Sequence, residues 1–230
     1  MDTLYDSRPF NLRYVVWQKS DRHTPDLLRT HRTAKASWLY IHRRQGTDAL
    51  GDTPDWSARD DLVGCGRSAP SRAGDPALDG LALWEQADAH ALRFRPDEPT
   101  CAHVVGSLPI GDTVEGWRHL IEGFCEDHLS SQGMVVDWAI HHRDATGDRP
   151  AIKPHWHGIV TTRAYDPAHP ECGRIRQNWL RSARTRKRLA ELWWQVSGVY
   201  PIGHILASER HAAPIEATVR PVALLHRATA

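Results

Sequence analysis

No apolar run in this chain approaches the roughly 18 residues that a membrane span needs, and the opening MDTLYDSRPF has neither the basic start nor the apolar stretch of a secretory signal. Membrane insertion and secretion are not expected, and a cytoplasmic location is. The cysteines, Cys65, Cys101, Cys125 and Cys172, contain no C-x-x-C pair, which argues against a zinc ribbon and against a disulfide framework. An excess of charge of one sign is also missing. Lys and Arg number 29 against 28 Asp and Glu, a formal net charge of +1, so bulk electrostatics give no argument for a nucleic-acid partner and any basic surface must be local. Lysine is confined to Lys19, Lys35, Lys153 and Lys187. A GC-rich genome produces that bias as readily as phosphate recognition does.

What is present is a chain of 230 residues, 40% hydrophobic and 25% charged, the composition of one globular domain or of one domain with an appendage. The 15 histidines and 10 tryptophans are the unusual part. The β-branched and aromatic run NLRYVVWQ (11–18) predicts a strand near the domain start. Between Asp26 and about Arg44, Thr30 or Thr33 is placed to cap a helix that ends near Tyr40. Residues 45–79, with Gly46, Gly51, Pro54, Gly64, Gly66, Pro70, Gly74 and Pro76, read as one long irregular loop. Its Arg59, Arg67 and Arg72 are placed to close over DNA, and a disordered segment explains the same composition equally well.

Helical spacing returns at 78–94, a strand at 101–109 and a helix at about 113–131 that Gly133 stops. MVVDWAIH (134–141) and HWHGIVTTR (155–163) are strands joined without an intervening helix, most simply an antiparallel hairpin. A helix at 173–197 carries Arg174, Arg176, Arg181, Arg184, Arg186, Lys187 and Arg188. Residues 1–200 are thus expected to form the domain, and 201–230 an extension with no strong periodicity.

Residues two apart on a strand share a face, so His155 and His157 stand side by side while Trp156 points the other way. Across the hairpin, His141 adds a third imidazole, and His142 faces away from it. Three histidines with open coordination positions describe a catalytic metal site rather than a structural one. A lone H-x-H, by contrast, is usually polar decoration of a strand. A metal so held polarises a phosphoryl oxygen but still needs a nucleophile, either water or the Tyr40 phenol, which can form a phosphotyrosine intermediate. A tyrosine on an amphipathic helix is ordinarily core with its hydroxyl at the rim.

GMVVDWAIH (133–141) followed by KPHWHGIVTTR (153–163) resembles the MobA/MobL-type relaxases, the HUH tyrosine endonucleases of plasmid mobilisation. TAKASWLYIHR (33–43) is similar to that family's alanine-rich first helix, whose tyrosine position falls on Tyr40. LWEQAD (83–88) and GSLP (106–109) are similar to its Trp-acid helix and its strand ending in Leu-Pro. The resemblance covers about residues 11–200. It implies an α+β fold, a central antiparallel sheet of ferredoxin or RRM-like kind with helices packed on one face and the histidines on the other. It also implies His141, His155 and His157 holding one Mn²⁺ or Mg²⁺, and Tyr40 attacking single-stranded DNA at an origin-of-transfer-like site. Asp88, four positions after the helix tryptophan, takes the place of the family's acid, with Glu85 as the nearby alternative.

DNA contacts are expected from Arg174, Arg176 and Arg181 of the basic helix, from Arg43 and Arg163, and from Trp156 or Trp179 as a platform for unstacked bases. A solvated helix face explains the same arginines. Accessory DNA-binding proteins are the expected partners of such a nickase, with no membrane involvement. Competing readings are an HUH replication initiator or transposase-type nuclease, a relic that binds a DNA hairpin without cutting it, and a hydrolase of small phosphodiesters that activates water.

Overall fold

Five antiparallel strands build the centre. In the computed structural model, which describes residues 4–7, 9–17, 32–70, 80–94, 98–165, 180 and 182–202, the strands β2 (Phe10–Val16), β3 (Leu62–Ser68), β4 (Pro99–Ser107), β5 (Val136–Arg143) and β6 (Ile152–Val160) form one sheet in the order β2-β4-β6-β5-β3. A separate parallel pair joins β1 (Leu4–Asp6) to β7 (Val199–Pro201). The helices are α1 (Ala34–Ile41), α2 (Ala82–Phe94), α3 (Val114–His128) and α4 (Ala183–Ser197). No described helix is long and apolar enough to cross a membrane. Most of the expected C-terminal extension lies outside the described residues.

Period-two alternation splits the core into two layers. On one face, Leu12, Ala102, Val104, Val136, Trp138, Ile140, Trp156 and Val160 meet Trp117, Ile121 and Phe124 of α3 and Leu189 and Trp193 of α4. On the other, Val15, Cys101, Val135, Ala139 and Ile159 meet Ala34 and Ile41 of α1 and Leu83, Trp84 and Ala87 of α2. The expected α+β architecture with a central antiparallel sheet is therefore present, with one correction. Helices cover both faces, because α1 and α2 bury their own apolar residues on the histidine-bearing side.

A second correction concerns the expected loop at 45–79. Residues 62–68 form β3, paired to β5 with Gly66 opposite Trp138 and Gly64 opposite Ile140. The glycines are there for room. A Cβ on Gly66 would lie 2.3 Å from Trp138 Cζ2, and one on Gly106 would lie 2.1 Å from Trp156 Nε1. The two large indoles lie flat against neighbouring strands, which is possible only where those strands carry no side chain.

Asp137 of β5, 3% exposed, ties the second layer down. Its carboxylate accepts from Trp38 Nε1 of α1 at 3.0 Å and from Trp84 Nε1 of α2 at 2.7 Å. It also receives Arg67 of β3 through Nε and, at 2.7 Å, through Nη2. Arg67 is thus a buried-side anchor and not a loop cation. Gly66→Ala is expected to destabilise the fold by about 1–3 kcal/mol through overpacking against Trp138. Urea unfolding measures this, and an unchanged midpoint would show that the indole has space to move.

Candidate functional site

The β5–β6 hairpin closes with His141 directly opposite His155 and Ala139 opposite His157. All three imidazoles rise from the face under α1, and one nitrogen from each lies within 4.8 Å of the others. Ring centroids are 4.7 Å apart for His141 and His157, 5.0 Å for His155 and His157, and 5.5 Å for His141 and His155. Burial holds all three below the ordinary histidine value, and at His157 the neighbouring imidazoles and Arg43 add to the depression. Neutral imidazole is the form that ligates a metal.

Ring hydrogen bonds fix how each nitrogen is presented. His155 Nδ1 faces the Lys153 carbonyl oxygen at 2.8 Å and therefore donates, leaving the Nε2 lone pair. His157 Nδ1 meets His103 Nε2 at 3.0 Å. Its Nε2 is buried with no hydrogen-bond partner. An orphaned imidazole nitrogen inside a cluster of imidazoles fits a divalent cation, and a tautomer-fixing contact behind the ring is the usual accompaniment of a ligating histidine. His141 lies between the Ile41 carbonyl oxygen, 2.8 Å from Nε2, and Arg43 Nη2, 2.9 Å from Nδ1.

Tyr40, in the last turn of α1, stands over this cluster. Its ring is perpendicular to that of His157 at 5.2 Å, and its centroid is 6.1 Å from His141 and 6.3 Å from His103. Trp56 packs edge-on against it at 5.1 Å, and the Arg43 guanidinium lies 4.6 Å from the ring centre. Arg59 covers Trp56 at 5.1 Å. A phenol beside three neutral imidazoles can serve as a nucleophile toward an electrophile held by those imidazoles.

Other expected site residues fall elsewhere. Asp88 is fully buried and caps α1, its carboxylate accepting from Ala34 N at 2.6 Å and Lys35 N at 2.9 Å. Glu85 pairs with Lys35 at 2.6 Å. Both acids therefore grip the start of the helix, while Tyr40 lies six residues on, roughly 9 Å along the axis.

Trp156 is 0% exposed between α3 and α4, so it offers no stacking platform; alternation that puts the histidines on one face puts this indole into the other core. Arg43 is buried and forms a forked pair with Asp61. Arg163 is engaged with Glu98 at 3.4 Å. Neither guanidinium is offered to DNA. Arg174, Arg176, Arg181 and Trp179 lie outside the described residues. His142 turns away as expected, against Trp117. Sequence reasoning missed His103, which alternation along CAHVV places on the histidine face, and missed Asp61 and Trp56, which carry no local signal.

An antiparallel sheet presenting three clustered imidazoles beneath a helix-borne tyrosine defines the class of protein. This chain belongs to the MobA/MobL family, whose sequence profile matches residues 32–196. It is 34% identical over 82 residues to a probable conjugal transfer protein TraA of Sinorhizobium fredii (strain NBRC 101917 / NGR234). That match takes in 36% of this chain and 7% of the relative, so the chain spans a small part of that protein's length. The fold also resembles a solved structure described as "Molecular Basis of Vancomycin Resistance Transfer in Staphylococcus aureus", with a TM-score of 0.61 and 18% identity, covering 90% of this chain and 94% of that one.

Burial pushes the Asp88 carboxyl up to about 7, from an ordinary value of 3.8. The native chain then binds this proton more tightly than the unfolded chain. The stability it contributes is complete below about pH 4 and is lost as pH rises through about 7. Asp88→Asn is expected to flatten that decline in urea unfolding between pH 4 and 8. If the substitution instead costs most at pH 8 and least at pH 4, the ionised carboxylate is the better cap.

Proposed function

We propose that this chain is a relaxase-type endonuclease that nicks and rejoins single-stranded DNA in plasmid mobilisation or conjugal transfer. The observation that carries the reading is Tyr40 standing edge-on over the clustered imidazoles of His141, His155 and His157. Membership of the MobA/MobL family and the printed name of the TraA relative support it.

His141, His155 and His157 would hold one divalent ion, Mn²⁺ or Mg²⁺, which when bound polarises the phosphoryl oxygen and stabilises developing negative charge. Tyr40 supplies the phenol oxygen. Its bond to phosphorus forms as the bond from phosphorus to the 3′-oxygen breaks, giving a 5′-phosphotyrosyl adduct. The phenol proton ends on the released 3′-hydroxyl, and reversal of the same exchange rejoins the strand.

Trp56, partly buried beside Tyr40 with Arg59 across its ring, is the aromatic available to an unstacked base, in place of the buried Trp156. On the opposite side of the sheet, Arg184, Arg186, Lys187 and Arg188 of α4 are exposed and suit the phosphates of the flanking DNA. Recruitment to an origin-like site with accessory DNA-binding proteins, in the cytoplasm, completes the reading.

Incubation with single-stranded oligonucleotides drawn from the DNA around its own gene, with Mn²⁺, is expected to give a covalent adduct that mass spectrometry maps to Tyr40. Tyr40→Phe is expected to abolish the adduct while divalent-ion binding persists. Hydrolysis that survives Tyr40→Phe would make water the nucleophile. Hairpin binding without cleavage under any divalent ion would leave a non-cutting DNA-binding protein.

A further inference from the structure

Two of the three clustered imidazoles are turned for a ligand and one is not. His155 commits Nδ1–H to the Lys153 carbonyl oxygen, and His157 keeps Nε2 buried and unpartnered with Nδ1 against His103. His141 differs, because its two neighbours each have a single hydrogen-bonding role. The Ile41 carbonyl oxygen only accepts, so Nε2 carries the proton; the Arg43 guanidinium only donates, so Nδ1 carries the lone pair, and that lone pair is already used.

Arg43 is firmly held in that position. Nε and Nη2 donate to Asp61 Oδ1 and Oδ2 at 2.7 and 2.6 Å, with both side chains 3% exposed. Nη1 donates to the Tyr40 carbonyl oxygen at 2.9 Å. The residue sits just past α1 with φ 53°, a left-handed conformation that a non-glycine residue adopts only when its surroundings impose it.

We propose that Arg43, anchored by Asp61, is a positioning residue that occupies the His141 lone pair until a divalent ion displaces it and completes the set of three histidines. The proposal rests on the reading of that cluster as a metal centre. His155 and His157 take the ion first, and His141 joins when its Nδ1 is released from Arg43. The same guanidinium holds the Tyr40 carbonyl and lies against the Tyr40 ring, so loading of the cluster is coupled to the end of the helix that carries the nucleophile. Its positive charge also disfavours a second cation beside the first.

The test is Co²⁺ titration of the full chain, followed by visible absorption and calorimetry, for wild type, Arg43→Met and the double variant Arg43→Met with Asp61→Leu. Each variant is expected to bind Co²⁺ about tenfold more tightly, the equivalent of one hydrogen bond no longer displaced. The double variant removes both buried charges, so no bare carboxylate is left to attract the ion. Tighter binding by Arg43→Met alone assigns the effect to uncovered Asp61 and overturns the proposal, as does unchanged or weaker binding by both.

In the metal-free wild type, ¹⁵N–¹H spectra of the histidine rings are expected to place the His141 proton on Nε2. A proton on Nδ1 overturns the proposal whatever the variants do. A wild type that takes up no Co²⁺ sinks the metal reading itself, and the proposal with it.

Discussion

An eight-residue helix is too short to be stable in water by itself, and the whole candidate site hangs from one. What fixes α1 is a set of carboxylates supplied by other elements. Asp88 of α2 receives the free backbone N–H groups of Ala34 and Lys35 at its start, where Thr33 also caps Ala36 N. Asp137 of β5 takes the indole N–H of Trp38 at its middle. At its far end, Asp61 holds Arg43, and Arg43 holds the Tyr40 carbonyl. Start, middle and end are each tied to a separate part of the fold. The direction in which Tyr40 points is therefore a property of the whole second layer.

In that arrangement both acids singled out in the sequence, Asp88 and Glu85, meet the start of α1. A carboxylate near a tryptophan on a helix facing α1 can cap α1, and the end of α1 that it reaches shows that use. Asp88 reaches the N-terminus, where four backbone donors need partners and where the helix dipole favours negative charge. Tyr40 is at the opposite terminus. The groups close to it are instead a fixed guanidinium and four imidazoles, His103 among them. The carboxylate nearest them, Asp61, is paired with that guanidinium.

The histidine row was legible because it depends on two local rules, alternation along a strand and closure of a hairpin, and both survive any tertiary context. The α+β architecture with its central antiparallel sheet is what the family resemblance implies, and the position of Tyr40 is what the resemblance of TAKASWLYIHR to a family helix implies. β3 was not legible. LVGCGRS has the glycines of a loop because its partner strand carries an indole that needs the space, and that indole, Trp138 opposite Gly66, is far away in the sequence. Trp156 failed in the same way. Its orientation away from the histidines was correct, but whether that face is solvent or core depends on where α3 and α4 pack, which no local pattern states.

The two layers also differ in what they can tolerate. The α3–α4 side is closed by aromatics, with Phe124 against Trp193 at 5.1 Å and Trp156 against Trp193 at 5.2 Å, and its stability comes from area removed from water. The α1–α2 side is held by buried polar pairs whose partners come from different strands and helices. Breaking one member of such a pair leaves the other charged and unsolvated, a larger cost than losing an equal area of apolar contact. Polar pairs are directional as well. They fix angles as well as distances, and through α1 they set the direction in which Tyr40 points. The layer that carries the site is thus built from the interactions that specify geometry, and the layer that carries none is built from those that specify only proximity.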